Sequence, residues 1–174
     1  MAVAGILSSL AHPKERSEVT ATAFDCLSRE TALILFAVAE AVLGEGFLAK
    51  APRFIETVDD FLNYQRTAQR EQFLLALLIT ETTLPLTVGG MTRHFSHLSI
   101  ADRRKILEKL RSSSLRLRRN IYAALVNVSA STYYSSELTW ADLNYKGVSV
   151  DHPEILNRPP PIPWRPDDSR PIKP

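Results

Sequence analysis

Four histidines, one cysteine and several hydroxyl and carboxylate clusters are the groups through which this 174-residue chain could act chemically. Only His94 and His97 lie close together in sequence. An H-x-x-H pair on one helical turn offers two nitrogen ligands to zinc, but this one follows Gly89 and Gly90 in an expected loop, with no carboxylate or thiol beside it in sequence. No metal site is expected there. The serine clusters Ser112–Ser114 and Ser129–Ser136 fall at helix starts and ends, where hydroxyls cap free backbone groups, and no serine stands in a G-x-S-x-G setting. Asp59 and Asp60 are neighbours, so on a helix they diverge by about 100° and cannot share a substrate as paired catalytic carboxylates do. They are expected on the outer side of their helix. Cys26 has no partner for an internal disulfide and reads as a small, buried or half-buried apolar residue. No catalytic residue, no cofactor-binding residue and no metal ligand is assigned.

The remaining chemical feature is charge. Between Asp102 and Arg119 there are eight Lys or Arg and two acids, a local excess of +6, although the whole chain carries only +2. Arg103, Arg104 and Lys105 on one helix, with Arg116, Arg118 and Arg119 on the next, form a basic patch that could grip phosphates. Nucleic-acid binding is therefore the alternative function. Against it, no aromatic side chain interleaves with these charges before Tyr122, and no helix-turn-helix spacing is present. A solvated face, or one matched to an acidic protein, explains the run more simply.

What must position these groups is a set of helices. With 45% hydrophobic and 23% charged residues, the chain is long enough to bury one core. Only six glycines, and no phosphate-loop string, disfavour a nucleotide-cradling or turn-rich β fold. Helical periodicity runs from Ser28 to about Tyr134. Ser28 is placed to cap a first helix that Gly44 and Gly46 end, and Pro52 to open a second in which Phe54, Ile55, Val58, Phe61 and Leu62 share a face. The third, "QREQFLLALLITETTL", is apolar almost all round and is expected to run through the middle of the bundle until Pro85, Gly89 and Gly90 stop it. Ser99 and Asp102 resemble a capping box for a fourth, carrying Ile106, Leu107 and Leu110. The fifth begins near Ser112, with Leu115, Ile121, Tyr122, Leu125, Val128 and Thr132 along one side, and a short helical turn is expected around Glu137 to Asn144. The prediction is an all-α domain, a single compact bundle of about five helices over residues 27–147.

Extensions flank that domain. Residues 1–26 form an N-terminal extension whose positive charges follow its short apolar run, which is not the order of a secretory signal. No twin-arginine pair lies near the start, and no long uncharged apolar stretch is present, so no transmembrane segment is expected. Eight of the eleven prolines fall in the last 22 residues, so 148–174 is expected to be an extended, polyproline-like tail with Ile162 and Trp164 as apolar anchors. An arm already stiff loses less entropy when it docks.

The segment "STYYSSELTWADLNYKG", Ser131 to Gly147, concentrates three of the five tyrosines and one of the two tryptophans. Such rings suit protein interfaces, because each buries a large area while its OH or NH keeps a hydrogen-bond partner. Tyr133 and Tyr134 are adjacent and cannot share a helix face, so one joins the core and the other points away. Trp140 and Tyr145 are expected to clasp the helix end and present exposed edges.

This helix end resembles that of the gluconate 2-dehydrogenase subunit 3 family, in which near-paired tyrosines, a small polar step, a tryptophan and a Y-x-G turn recur. The corresponding residues are Tyr133, Tyr134, Trp140, Tyr145 and Gly147, and "LSRETALILFAVAEAVLGEG" is similar to the family's first helix. The likeness covers about Leu27 to Gly147. It implies a small, non-catalytic accessory subunit that stabilises, matures or localises a large flavin-dependent sugar or alcohol dehydrogenase of the glucose-methanol-choline type, often with a cytochrome subunit. FAD and catalysis would belong to the partner. Many members carry a twin-arginine signal and this chain shows none, so the expectation is a cytoplasmic complex, or a periplasmic one exported by a partner's signal. A helical ligand carrier, with an apolar cavity between the third and fifth helices, is the remaining alternative.

Overall fold

The computed structural model describes residues 24–145. Among these residues there is no strand, and the main helices are α1 (Arg29–Leu43), α2 (Phe54–Tyr64), α3 (Thr67–Thr82), α4 (Ile100–Arg111) and α5 (Arg116–Ser135). A 3-10 turn, Phe47–Ala49, lies between α1 and α2; a π turn, Pro85–Gly89, and a second 3-10 turn, Phe95–His97, join α3 to α4. The short helix α6, Glu137–Trp140, follows α5. This is the all-α arrangement that the periodicity predicts. No described helix is long and apolar enough to cross a membrane. Among the described residues two compact units are distinguished, 24–139 and 140–145. The first holds the five main helices.

Local chemistry sets most helix ends. Ser28 Oγ accepts the Thr31 N–H at 3.1 Å, and Ser99 Oγ accepts the Asp102 N–H at 3.2 Å, each supplying an acceptor to a donor that has none inside the helix. The Ser99 hydroxyl, and then Lys105, hold the Asp102 carboxyl below its ordinary value. A carboxyl lowered in this way supports the start of α4 at neutral pH, and that support fades as acid titrates it. Gly44 ends α1 at φ 105°, a left-handed region that disfavours side chains. Two starts differ from expectation. α2 begins at Phe54, two residues after Pro52, and α5 begins at Arg116 instead of near Ser112. The reason is in the serines: Ser112 Oγ donates to the Glu108 carbonyl at 2.9 Å, and Ser113 Oγ accepts the Leu115 N–H at 3.2 Å. They close α4 and shape the turn, and leave Leu115 55% exposed.

The centre of the bundle is α1, which corrects the expectation for the third helix. Ala32 and every residue from Leu35 to Ala41 are buried, and α1 packs against α2, α3, α4 and α5. Its alanines, Ala32, Ala37, Ala39 and Ala41, let four neighbours approach one axis. α3 buries only Phe73, Ala76, Leu77 and Thr80, while Leu75 and Leu78 are 55% and 54% exposed. Both helices are apolar in sequence, but only α1 has neighbours on every side. Ala39→Leu should therefore cost about 1–3 kcal/mol through overpacking, whereas Leu78→Ser should stay within about 0.5 kcal/mol. Denaturant melts of the two variants read the difference; the reverse order would restore α3 to the centre.

Candidate functional site

A buried polar centre lies where α1, α4 and the Phe95–His97 turn meet. Arg103 is fully buried, and its Nη1 donates to Glu40 Oε2 at 2.7 Å and to the Ala37 carbonyl at 3.3 Å. Nε donates to the Phe95 carbonyl at 3.2 Å and Nη2 to the Ser96 carbonyl at 3.0 Å. The fork of the guanidinium suits several acceptors fixed in one plane, which a lysine ammonium would not satisfy. From α3, Glu81 holds the same turn: it accepts the Ser96 N–H at 2.9 Å and the Ser96 hydroxyl at 2.6 Å. Glu81→Ala should cost about 1–3 kcal/mol by leaving the Ser96 N–H and hydroxyl without that acceptor. A thermal melt checks it, and an unchanged midpoint would remove Glu81 from the structural account.

This arrangement corrects the reading of the basic run. Arg103 faces inward, paired with Glu40, and cannot reach a phosphate. Arg104 Nε donates to the Ala41 carbonyl at 3.0 Å, at the C-terminal end of α1, where a cation complements the helix dipole. Lys105 pairs with Asp102 at 3.1 Å, and Arg111 pairs with Glu108 at 2.8 Å. Arg119 Nη1 donates to the carbonyls of Ser113 and Ser114 at 2.7 and 2.8 Å. Arg116 and Arg118 are left without a hydrogen bond among the described residues. Much of the excess charge is thus spent within the fold, and no continuous phosphate-binding row results.

The carboxylates are also reassigned. Asp60 is exposed as expected, but Asp59 is buried. Its Oδ2 accepts the Asp25 N–H at 2.8 Å, and its Oδ1 accepts those of Cys26 and Leu27 at 2.9 and 2.8 Å. One carboxylate therefore anchors the chain just before α1. Of the two expectations for Cys26, buried or half-buried, the structure shows the second, with Sγ 3.0 Å from Asn63 Oδ1. The histidine pair does have a carboxylate nearby in space: Glu81 Oε1 is 4.0 Å from His94 Nδ1. That carboxylate is already engaged by Ser96, and no group of three metal-ligating side chains occurs among the described residues.

The aromatic segment separates as helical geometry requires. Tyr133 is half-buried and packs against the core, while Tyr134 is 46% exposed, with the two rings edge to face at 5.2 Å. α5 ends where Ser136 Oγ donates to the Lys50 carbonyl at 2.6 Å. An open groove of about 430 Å³ lies beside this end, lined by Pro52, Phe54 and Thr57 of the α2 start and by Thr132, Ser135 and Leu138. In the second unit, the chain turns back so that the Tyr145 N–H donates to the Trp140 carbonyl at 2.9 Å, and Asn144 takes φ 51°. This turn stacks the Tyr145 ring edge-on to Trp140 at 5.2 Å. Trp140 is half-buried and Tyr145 is 49% exposed. The expected anchors Ile162 and Trp164 lie outside the described residues, as does Gly147.

Sequence reasoning missed the exposed leucines of α3 and the start of α5. Leu75, Leu78 and Leu117 are all more than half exposed. The signal was present in the unbroken apolar circumference of α3, which a helix at the edge of a bundle cannot bury. An open apolar groove does lie between α3 and α5, where a ligand cavity was the alternative; its walls face solvent and enclose no chamber.

The geometry defines an all-α domain with a sealed polar centre and apolar side chains left on its outside. No protein family, curated protein or solved structure gave a match to the chain.

Proposed function

We propose that this chain is a non-catalytic accessory subunit that binds a large FAD-dependent sugar or alcohol dehydrogenase of the glucose-methanol-choline type, and stabilises, matures or localises it. The observation that carries the binding role is the exposure of Tyr134 and Leu138, 46% and 59%, at the end of α5 and the turn that follows it. Exposed leucines and tyrosines grouped in this way suit a protein interface, where each ring is desolvated and its hydroxyl keeps a partner. The choice of partner rests on the resemblance of Tyr133, Tyr134, Trp140 and Tyr145 to the subunit 3 pattern. On this reading the flavin belongs to the partner, with a cytochrome as a third subunit.

Co-expression with a large FAD-dependent dehydrogenase of the glucose-methanol-choline type tests the proposal. The pair should co-purify with bound flavin and dye-linked dehydrogenase activity. Tyr134→Ser combined with Leu138→Ser should weaken retention by about tenfold or more, the scale of losing an apolar anchor. Undiminished retention would remove this surface. Oxidation of sugars or alcohols by the purified chain alone would overturn the non-catalytic reading. Truncation at residue 147 tests the proline-rich arm in the same assay.

A further inference from the structure

α3 turns a regular row of side chains toward water. Ala68, Glu71, Leu75, Leu78 and Thr82 are all exposed, and they follow one another at steps of three, four, three and four residues along the helix. That alternation is the heptad spacing of a seam between two helices, narrower than the broad stripe by which a helix faces a core. The middle of the row is apolar, with Leu75 and Leu78 each more than half exposed, and its ends are polar. Beside it an open groove of about 450 Å³ runs between α3 and α5, with Leu117 67% exposed on the far wall. We infer that this face is the seat of a second copy of the chain, whose α3 lies antiparallel to this one about a two-fold axis between Leu75 and Leu78.

Charge and register select that occupant. A two-fold contact sets a patch against itself, so a net charge on the patch would repel its own image. None of the described residues lining the groove is ionisable, and the amides of Gln69, Gln72 and Asn120 carry donor and acceptor together without a net charge. The same absence of charge gives a foreign partner no electrostatic mark to recognise.

Within the row, Glu71 is the single charged residue. Parallel pairing would put Glu71 of one copy against Glu71 of the other, which costs free energy. With the axis between Leu75 and Leu78, Leu75 meets Leu78 of the other copy and Glu71 meets its Thr82. The leucines then shield one another at the centre, and the two carboxylates stand about 17 Å apart along the helices, at opposite ends. Antiparallel packing also brings the positive end of each helix dipole beside the negative end of the other. From Ala68 to Thr82 the row is about 21 Å long, which places the interface at the small end of specific contacts and the dissociation constant at roughly 50 µM. This contact is independent of the dehydrogenase reading and does not use the Tyr134–Leu138 surface.

Sedimentation of the full chain tests the dimer. Between about 5 and 500 µM the wild type should shift from monomer toward dimer. Leu75→Glu, which places two carboxylates beside the axis, should raise the dissociation constant by about tenfold or more, and its exposed position should leave the thermal melt unchanged. Leu138→Ser should leave the dissociation constant unchanged, which separates this contact from the surface proposed for the dehydrogenase. Register is read by crosslinking. In a Cys26→Ser background, chains with Glu71→Cys and chains with Thr82→Cys are mixed and treated with a short bismaleimide. Product joining positions 71 and 82 should exceed each self-joined product by about tenfold, where random collision gives only about twofold. A monomer at the highest concentration, a dimer that Leu75→Glu does not weaken, or an excess of self-joined products would each overturn the proposal.

Discussion

Arg103→Ala should lower the unfolding free energy by about 3–5 kcal/mol, among the largest effects expected of a single side chain in this protein. The change removes the guanidinium that occupies Glu40 and also the donors to the carbonyls of Ala37, Phe95 and Ser96. Glu40 then remains buried without its ionic partner, the situation that makes half of an internal ion pair so destabilising. Lysine should not rescue it, since an ammonium on a flexible stem cannot reach four acceptors spread over α1 and the Phe95–His97 turn. The double change Arg103→Met with Glu40→Leu should recover much of the loss, because it removes both charges together. Urea unfolding of the three variants provides the comparison. If Arg103→Ala costs less than about 1 kcal/mol, water reaches Glu40 and the sealed centre described above is wrong.

Asp59→Ala should cost about 3 kcal/mol, with the damage concentrated at the entry to α1. Three consecutive backbone N–H groups, those of Asp25, Cys26 and Leu27, lose a charged acceptor at once. Hydrogen bonds to an ionised partner are stronger than neutral ones, and the Leu27 N–H is buried where water cannot readily replace the carboxylate. Asn should be intermediate. Its carbonyl can keep two of the donors, but its amide group would face the third N–H with another donor. Amide hydrogen exchange at residues 25–27 distinguishes a local release from general unfolding: protection should fall there first, with α4 and α5 little changed. Unaltered exchange at those amides would show that the anchor is supplied elsewhere.

These two side chains mark how far residue patterns reach. The capping serines Ser28 and Ser99, the stop at Gly44, and the buried faces of Ile106, Leu107, Leu110, Ile121 and Leu125 follow from spacing of three and four residues. The division of Tyr133 from Tyr134 is local in the same way, because adjacent helical positions point about 100° apart. Asp59 and Arg103 are different. Their acceptors and donors lie 32 to 34 and 63 to 66 residues away, apart from the nearer Phe95 and Ser96. A charged residue reads as exposed until the partner that compensates its burial has been brought to it.

The same distinction explains the candidate surfaces. That the chain is helical, where its main helices lie and which short segment gathers its aromatic side chains were contained in composition, periodicity and capping, all of them properties of neighbours within a few turns. Tertiary packing alone decided that alanine-rich α1 takes the centre while leucine-rich α3 stays at the edge. It also decided that six cations of the basic run are engaged by carboxylates or carbonyls, and that Leu75, Leu78 and Leu117 are left facing water. Hydrophobicity specifies that a helix must be covered, but not by what; the order in which helices surround one another determines which apolar face remains for another segment or another protein.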